Sequence, residues 1–213
     1  MARALSIKET GAKTYKLIPF EGVWADAFGT PEKTGVWFVW GRSGHGKTSF
    51  VMQLCKELCK HYKGAYNSLE EGVGYTMQET LRKNGMISVN KRLVMLDREP
   101  ITDLEERMDK RMSPHFYIID SFQYTNFTFA EYLKFKERHR NKLIIFISQA
   151  DGTRPKGRTA DRVCFDATQK IYVEGFRAFS NGRSTGPVGY YDVWHERAQQ
   201  YWGKTNSETT TNK

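Results

Sequence analysis

The stretch from Gly35 to Phe50, G-V-W-F-V-W-G-R-S-G-H-G-K-T-S-F, constrains the chain more than any other. Residues 36–39 are four consecutive apolar side chains, the composition of a short strand buried on both faces. Gly41 then stands four residues before Gly46-Lys47-Thr48, the spacing G-x-x-x-x-G-K-[ST]. Phe50, Val51, Leu54, Cys55 and Leu58 recur at helical spacing to about His61. In a strand–loop–helix of this kind the glycines let successive N–H groups turn in around an anion. The following helix adds its positive end. Gly41, Arg42, Ser43, Gly44, His45, Gly46, Lys47, Thr48 and Ser49 are the candidate nucleotide-binding residues, with Lys47 on the terminal phosphates and the Thr48 hydroxyl on Mg²⁺.

The alternation continues downstream. Strands are expected at 65–69, 93–96, 116–119 and 143–147, and helices at 73–84, 102–112 and 129–140. Segments 170–174, 177–180 and 188–194 alternate as late strands, whereas 150–163 is polar, turn-rich and without an apolar period. The pattern predicts an α/β fold, a largely parallel twisted sheet with helices on both faces and late antiparallel strands. Its expected organisation is an N-terminal segment (1–18), one core (19–200) and a polar, disordered tail (201–213).

Ligands of such sheets bind beyond the carboxyl ends of the strands. Asp120 closes the apolar run F-Y-I-I-D, where a carboxylate can hold Mg²⁺ together with Thr48. Glu70 and Glu71 follow the second strand, where a carboxylate can orient or deprotonate a water attacking the γ-phosphate of ATP. Gln149 ends the fifth strand, where an amide can bond that phosphate. Three cysteines are too few for a disulfide scaffold, and Cys55 and Cys59 beside His61 read as packing residues of the helix after the loop. No apolar run reaches membrane-spanning length and the N-terminus lacks a signal core, so the chain is read as cytoplasmic. A formal net charge of +9 favours acidic partners, nucleic acid first.

With these residues in order, the chain resembles the RecA-type ATPases, in particular the DnaB, RadA and KaiC branch. G-R-S-G-H-G-K-T-S-F is similar to the DnaB loop. N-S-L-E-E-G (67–72) resembles the segment bearing the branch's catalytic glutamate, which selects Glu70 over Glu71. I-I-D-S (118–121) resembles its second nucleotide motif, and I-S-Q-A (147–150) its sensor glutamine. S-N-G-R-S-T-G-P-V-G (180–189) is similar to its basic hairpin, from which a cation reaches the neighbouring subunit's nucleotide. Arg183 is the first choice for that role and Arg177 the second. The extra domains of DnaB and RadA and the duplication of KaiC have no counterpart in these motifs, so the likeness is to a single-core form, as in small RecA-like phage recombination ATPases.

The resemblance implies a Mg²⁺-dependent ATPase stimulated by single-stranded DNA, acting as a homo-oligomeric ring or filament in recombination, repair or replication, with a protein partner from those processes. It places DNA on the segment after Gln149, through Arg154, Lys156, Arg158 and Arg162, and on the loop after Asp120, where Phe122, Tyr124 and Phe127 can stack on bases or pack in the core. The basic segment is expected to be a mobile loop that ATP orders and hydrolysis releases. Two other readings use the same residues. One is a nucleotide-gated module that recruits or loads a partner with slow hydrolysis. The other is a small P-loop kinase, with 150–163 as its lid.

Overall fold

The computed structural model describes residues 3–181 and 189–208, with side chains to residue 203. Two short N-terminal helices, α1 (Ile7–Gly11) and α2 (Val23–Phe28), precede β1 (Gly35–Gly41) and α3 (Lys47–Leu58). Then come β2 (Gly64–Ser68), α4 (Tyr75–Lys83), β3 (Leu93–Asp97), α5 (Ile101–Asp109), β4 (Phe116–Asp120), α6 (Phe129–Arg138) and β5 (Leu143–Asp151). The last elements are β6 (Arg154–Pro155), α7 (Arg158–Asp166), β7 (Gln169–Glu174), β8 (Arg177–Ser180), β9 (Tyr190–Asp192) and α8 (His195–Glu208).

Among the described residues the strand order is β3-β2-β4-β5-β1-β7-β8-β9, with β6 paired to β5. From β3 to β7 every neighbour is parallel, and β7-β8-β9 is antiparallel. This is the expected α/β sheet with its late antiparallel edge. Side-chain alternation along the strands builds one core on each face. Trp37, Val39, Tyr66, Ile118 and Ile145 meet α2 and α3 through Trp24, Phe28, Phe50, Leu54 and Leu58. Phe38, Ala65, Tyr117, Ile119 and Phe146 meet α5, α6 and α7 through Leu104, Tyr132, Phe135 and Val163. Cys55 and Cys59 lie buried in the first of these cores, as packing residues do.

Two segments differ from the sequence reading. Residues 150–163 are not a mobile polar loop. Ala150 and Asp151 pair with Pro155 and Arg154 in a tight hairpin, and α7 follows at once. Ala160, Val163, Cys164 and Ala167 recur at helical spacing and are buried against the sheet. A window ending at 163 cuts that stripe in half. The final helix also takes in 201–208, which the sequence reading gave to the tail. Phe179 and Trp202 pack edge to face near its start, 5.3 Å apart.

Candidate nucleotide site

The phosphate loop is shaped by its glycines and its neighbours. Gly44 and Gly46 have φ of 78° and 96°, a region that favours glycine, and Gly46 caps α3. Gly41 lies against β7 so closely that a Cβ there would stand 2.1 Å from the Val173 carbonyl oxygen. The turn between β7 and β8 braces the loop from outside. Gly175 N–H donates to His45 Nδ1 at 3.0 Å and Phe176 N–H to the His45 carbonyl at 3.2 Å. Phe176 itself holds φ of 62°, rare for a large side chain. His45 is therefore a structural member of the loop.

Register brings the chemistry together. Gly41 pairs with Gln149, Ser68 with Asp120, and Asp120 with Ile147. Three adjacent strands thus end at one level, and a cleft of about 880 Å³ opens there. Ser43, Gly44, Gly46, Lys47, Thr48 and Ser49 form one wall, with Glu70, Asp120 and Gln149 opposite. Gly41, Arg42 and His45 stand outside the lining. Gln149 Nε2 donates to Glu70 Oε1 at 3.1 Å. Glu70 is fixed by its backbone as well, its N–H donating to the Asp120 carbonyl at 3.1 Å. Asp97 and Arg98 secure the rest of that loop through Val73 N–H and the Glu71 carbonyl.

The cleft is acidic at its floor. Burial pushes the Asp120 carboxyl up to about 6, and Glu70 and Glu71 add to the rise. The Tyr66 hydroxyl, which donates to Asp120 Oδ2, and the Lys47 ammonium work against it. Burial also lowers the Lys47 pKa, against the pull of Asp120 and Glu70, while Lys47 Nζ donates to the Arg42 carbonyl at 2.9 Å. A buried carboxylate flanked by two more, with one lysine to offset them, suits a divalent cation. Asp120 and Thr48 are the residues that would hold Mg²⁺, and the Ser121 hydroxyl on the same wall is buried without a hydrogen-bond partner.

Other assigned residues divide sharply. Arg154, Arg158 and Arg162 are exposed on the hairpin and α7, outside the cleft, with Arg162 over the Phe129 ring at 3.9 Å. Lys156 instead lines the cleft. Phe122 is buried against Phe38 and Phe146, so it packs in the core and offers no face to a base. Phe127 packs on Phe122 and Phe135, whereas Tyr124 is half exposed. Arg177 is engaged within its own chain. Its Nε donates to Asp192 Oδ1 at 2.7 Å and its guanidinium stacks on Tyr190 at 4.4 Å. Arg183 lies outside the described residues.

Sequence reasoning missed the far rim of the cleft, formed by Gln53, Lys83, Phe176, Trp194 and Arg197. Arg197 stacks on Trp194 at 4.2 Å and on Phe176 at 5.3 Å. These positions are far apart in sequence and match no fixed spacing. Only the closure of the sheet by β7, β8 and β9 brings them to the loop.

No protein-family model matches the chain, and no curated protein matches its sequence. Its fold does have solved counterparts. The ATPase domain of a DnaB-like helicase is similar with a TM-score of 0.56 and 16% identity, over 78% of this chain and 84% of that one. The chain has a RecA-like P-loop fold. Among the described residues no helix is long and apolar enough to cross a membrane.

Proposed function

We propose that the protein is a Mg²⁺-dependent ATPase that hydrolyses ATP in this cleft. The observation that carries the reading is the Glu70–Gln149 hydrogen bond, set opposite Lys47 and Thr48 at the level of Asp120. The loop N–H groups and Lys47 hold the phosphates. Glu70 orients a water and takes its proton, and its amide partner Gln149 faces the terminal phosphate. Bound Mg²⁺ would supply charge neutralisation between phosphates, held by Thr48 and Asp120. Phe176, Trp194 and Arg197 offer aromatic and cationic faces where a nucleobase can lie.

Single-stranded DNA is the proposed activator. The support is the net charge of +9 and the exposed row Arg154, Arg158 and Arg162, with Tyr124 on the neighbouring loop. A homo-oligomeric ring or filament working in recombination, repair or replication follows from the resemblance. The kinase reading has less support, because the segment needed as a lid is a hairpin and a helix packed on the sheet. A partner-loading module remains the alternative if DNA has no effect.

The test is phosphate release from ATP with and without single-stranded DNA, at several protein concentrations. The reading expects release that DNA raises and dilution lowers per subunit. Release indifferent to DNA moves the function to partner loading, and nucleotide binding without release contradicts the ATPase reading.

A further inference from the structure

The basic segment after β5 turns one of its side chains away from the others. Lys156 Nζ lies 3.4 Å from Gln149 Oε1, and the residue lines the cleft with Lys47, Glu70 and Asp120. Its place is set by the fold rather than by a flexible loop. Lys156 N–H donates to the Gln149 carbonyl at 2.8 Å. The Lys156 carbonyl accepts from Gln123 Nε2 at 2.9 Å, and the same amide donates to Ser148 Oγ at 2.8 Å. The hairpin tip is tied down separately, Trp40 Nε1 donating to the Thr153 carbonyl at 2.9 Å. Among the described residues no carboxylate pairs with Lys156. A held cation therefore stands at the exposed mouth of an acidic cleft, on the side away from Lys47.

Resting on the ATPase reading above, we propose that Lys156 acts within its own subunit as a second phosphate cation, placed by Gln149 on the terminal phosphate of ATP. In hydrolysis the water oxygen bonds the γ-phosphorus while the bond from that phosphorus to the β,γ-bridging oxygen breaks. The bridging oxygen leaves with the electron pair as part of ADP, and the water proton passes to Glu70. Negative charge is then spread over the three outer γ-oxygens, where fixed cations stabilise it. Lys156 takes no part in the proton transfer. The Glu70–Gln149–Lys156 chain links the water, the phosphate and the foot of the hairpin in one run of hydrogen bonds.

The test compares wild type, Lys156→Ala and Lys156→Arg, all without DNA. Binding of ADP and of a non-hydrolysable ATP analogue with an imido β,γ-bridge is measured beside steady-state hydrolysis. Lys156→Ala is expected to bind ADP as wild type does, to bind the analogue about tenfold or more weakly, and to lose roughly 10²-fold in kcat, the scale of one charge-stabilising donor. Lys156→Arg should recover part of both losses. If Lys156→Ala keeps both DNA-free properties while its DNA affinity falls and the salt slope drops by about one, Lys156 is a DNA phosphate contact and the proposal is overturned. Equal weakening of ADP and the analogue also overturns it. A wild type that binds neither nucleotide fails the ATPase reading itself, and this proposal with it.

Discussion

The segments that leave the sheet at Gly41 and at Gln149 begin side by side and are built in opposite ways. The first is made by backbone. Positive φ at Gly44 and Gly46, a capped helix and the close approach of Val173 leave few residue choices. The second is made by side chains. Its hairpin is short, and Gln123, Trp40 and the stripe of Ala160, Val163 and Cys164 hold it in place. A site built from backbone needs particular residues at particular spacings. A site built from side-chain packing can be reached by many sequences, and its functional residues depend on which way each one points. Lys156 lines the cleft while Arg154 and Arg158, two residues to either side, face solvent.

The sharpest break of this comparison lies in the first segment. Lys47→Ala should lower kcat by at least about 10²–10³-fold, with or without DNA, because it removes a charge at the reacting phosphate. A smaller loss than that of Lys156→Ala would reverse the ranking of the two walls. Next comes Gly41→Ala. Its Cβ meets a backbone carbonyl that has little room to shift, so a loss of about 1–3 kcal/mol, roughly 2–4 °C in Tm per kcal/mol, is expected by thermal melting. Unchanged melting would show that the loop tolerates more than the backbone argument allows.

Asp120→Asn should act with the opposite sign. The folded carboxyl titrates near 6 against an ordinary 3.8, so its contribution to stability is full below 3.8 and is lost as pH rises through about 6. Without nucleotide, and in chelator, the variant should melt several degrees above wild type at pH 8, with the gap closing toward pH 4. That shift corresponds to about 2–3 kcal/mol at most. A variant less stable than wild type at pH 8 would contradict the account of the acidic floor. The smallest effect is expected in the second segment. Arg158→Ala should leave DNA-free hydrolysis unchanged and reduce the salt slope of DNA binding by about one.

The same contrast explains what could be read without a structure. The strands at 36–39, 116–119 and 143–147 carry unbroken apolar runs, and the loop carries its spacing, so sheet, loop and helix were legible. Asp120, Glu70 and Gln149 were legible because each ends or follows a recognisable strand. Phe122 was not, since an aromatic after a strand end can turn to a base or to Phe146 with no change of sequence. Arg177 was not either. A basic residue on a late strand reads as free until Asp192, fifteen residues on, is brought opposite it by β9. Phe176, Trp194 and Arg197 meet only through that antiparallel edge.

The central claim is that Glu70, held by Gln149, activates the water. The most direct measurement is Glu70→Gln in paired assays of ATP binding and single-turnover hydrolysis. The account predicts binding like that of wild type and hydrolysis slowed by about 10²-fold or more. Hydrolysis at the wild-type rate in that variant, with ATP bound, would show that another group activates the water and would contradict the assignment.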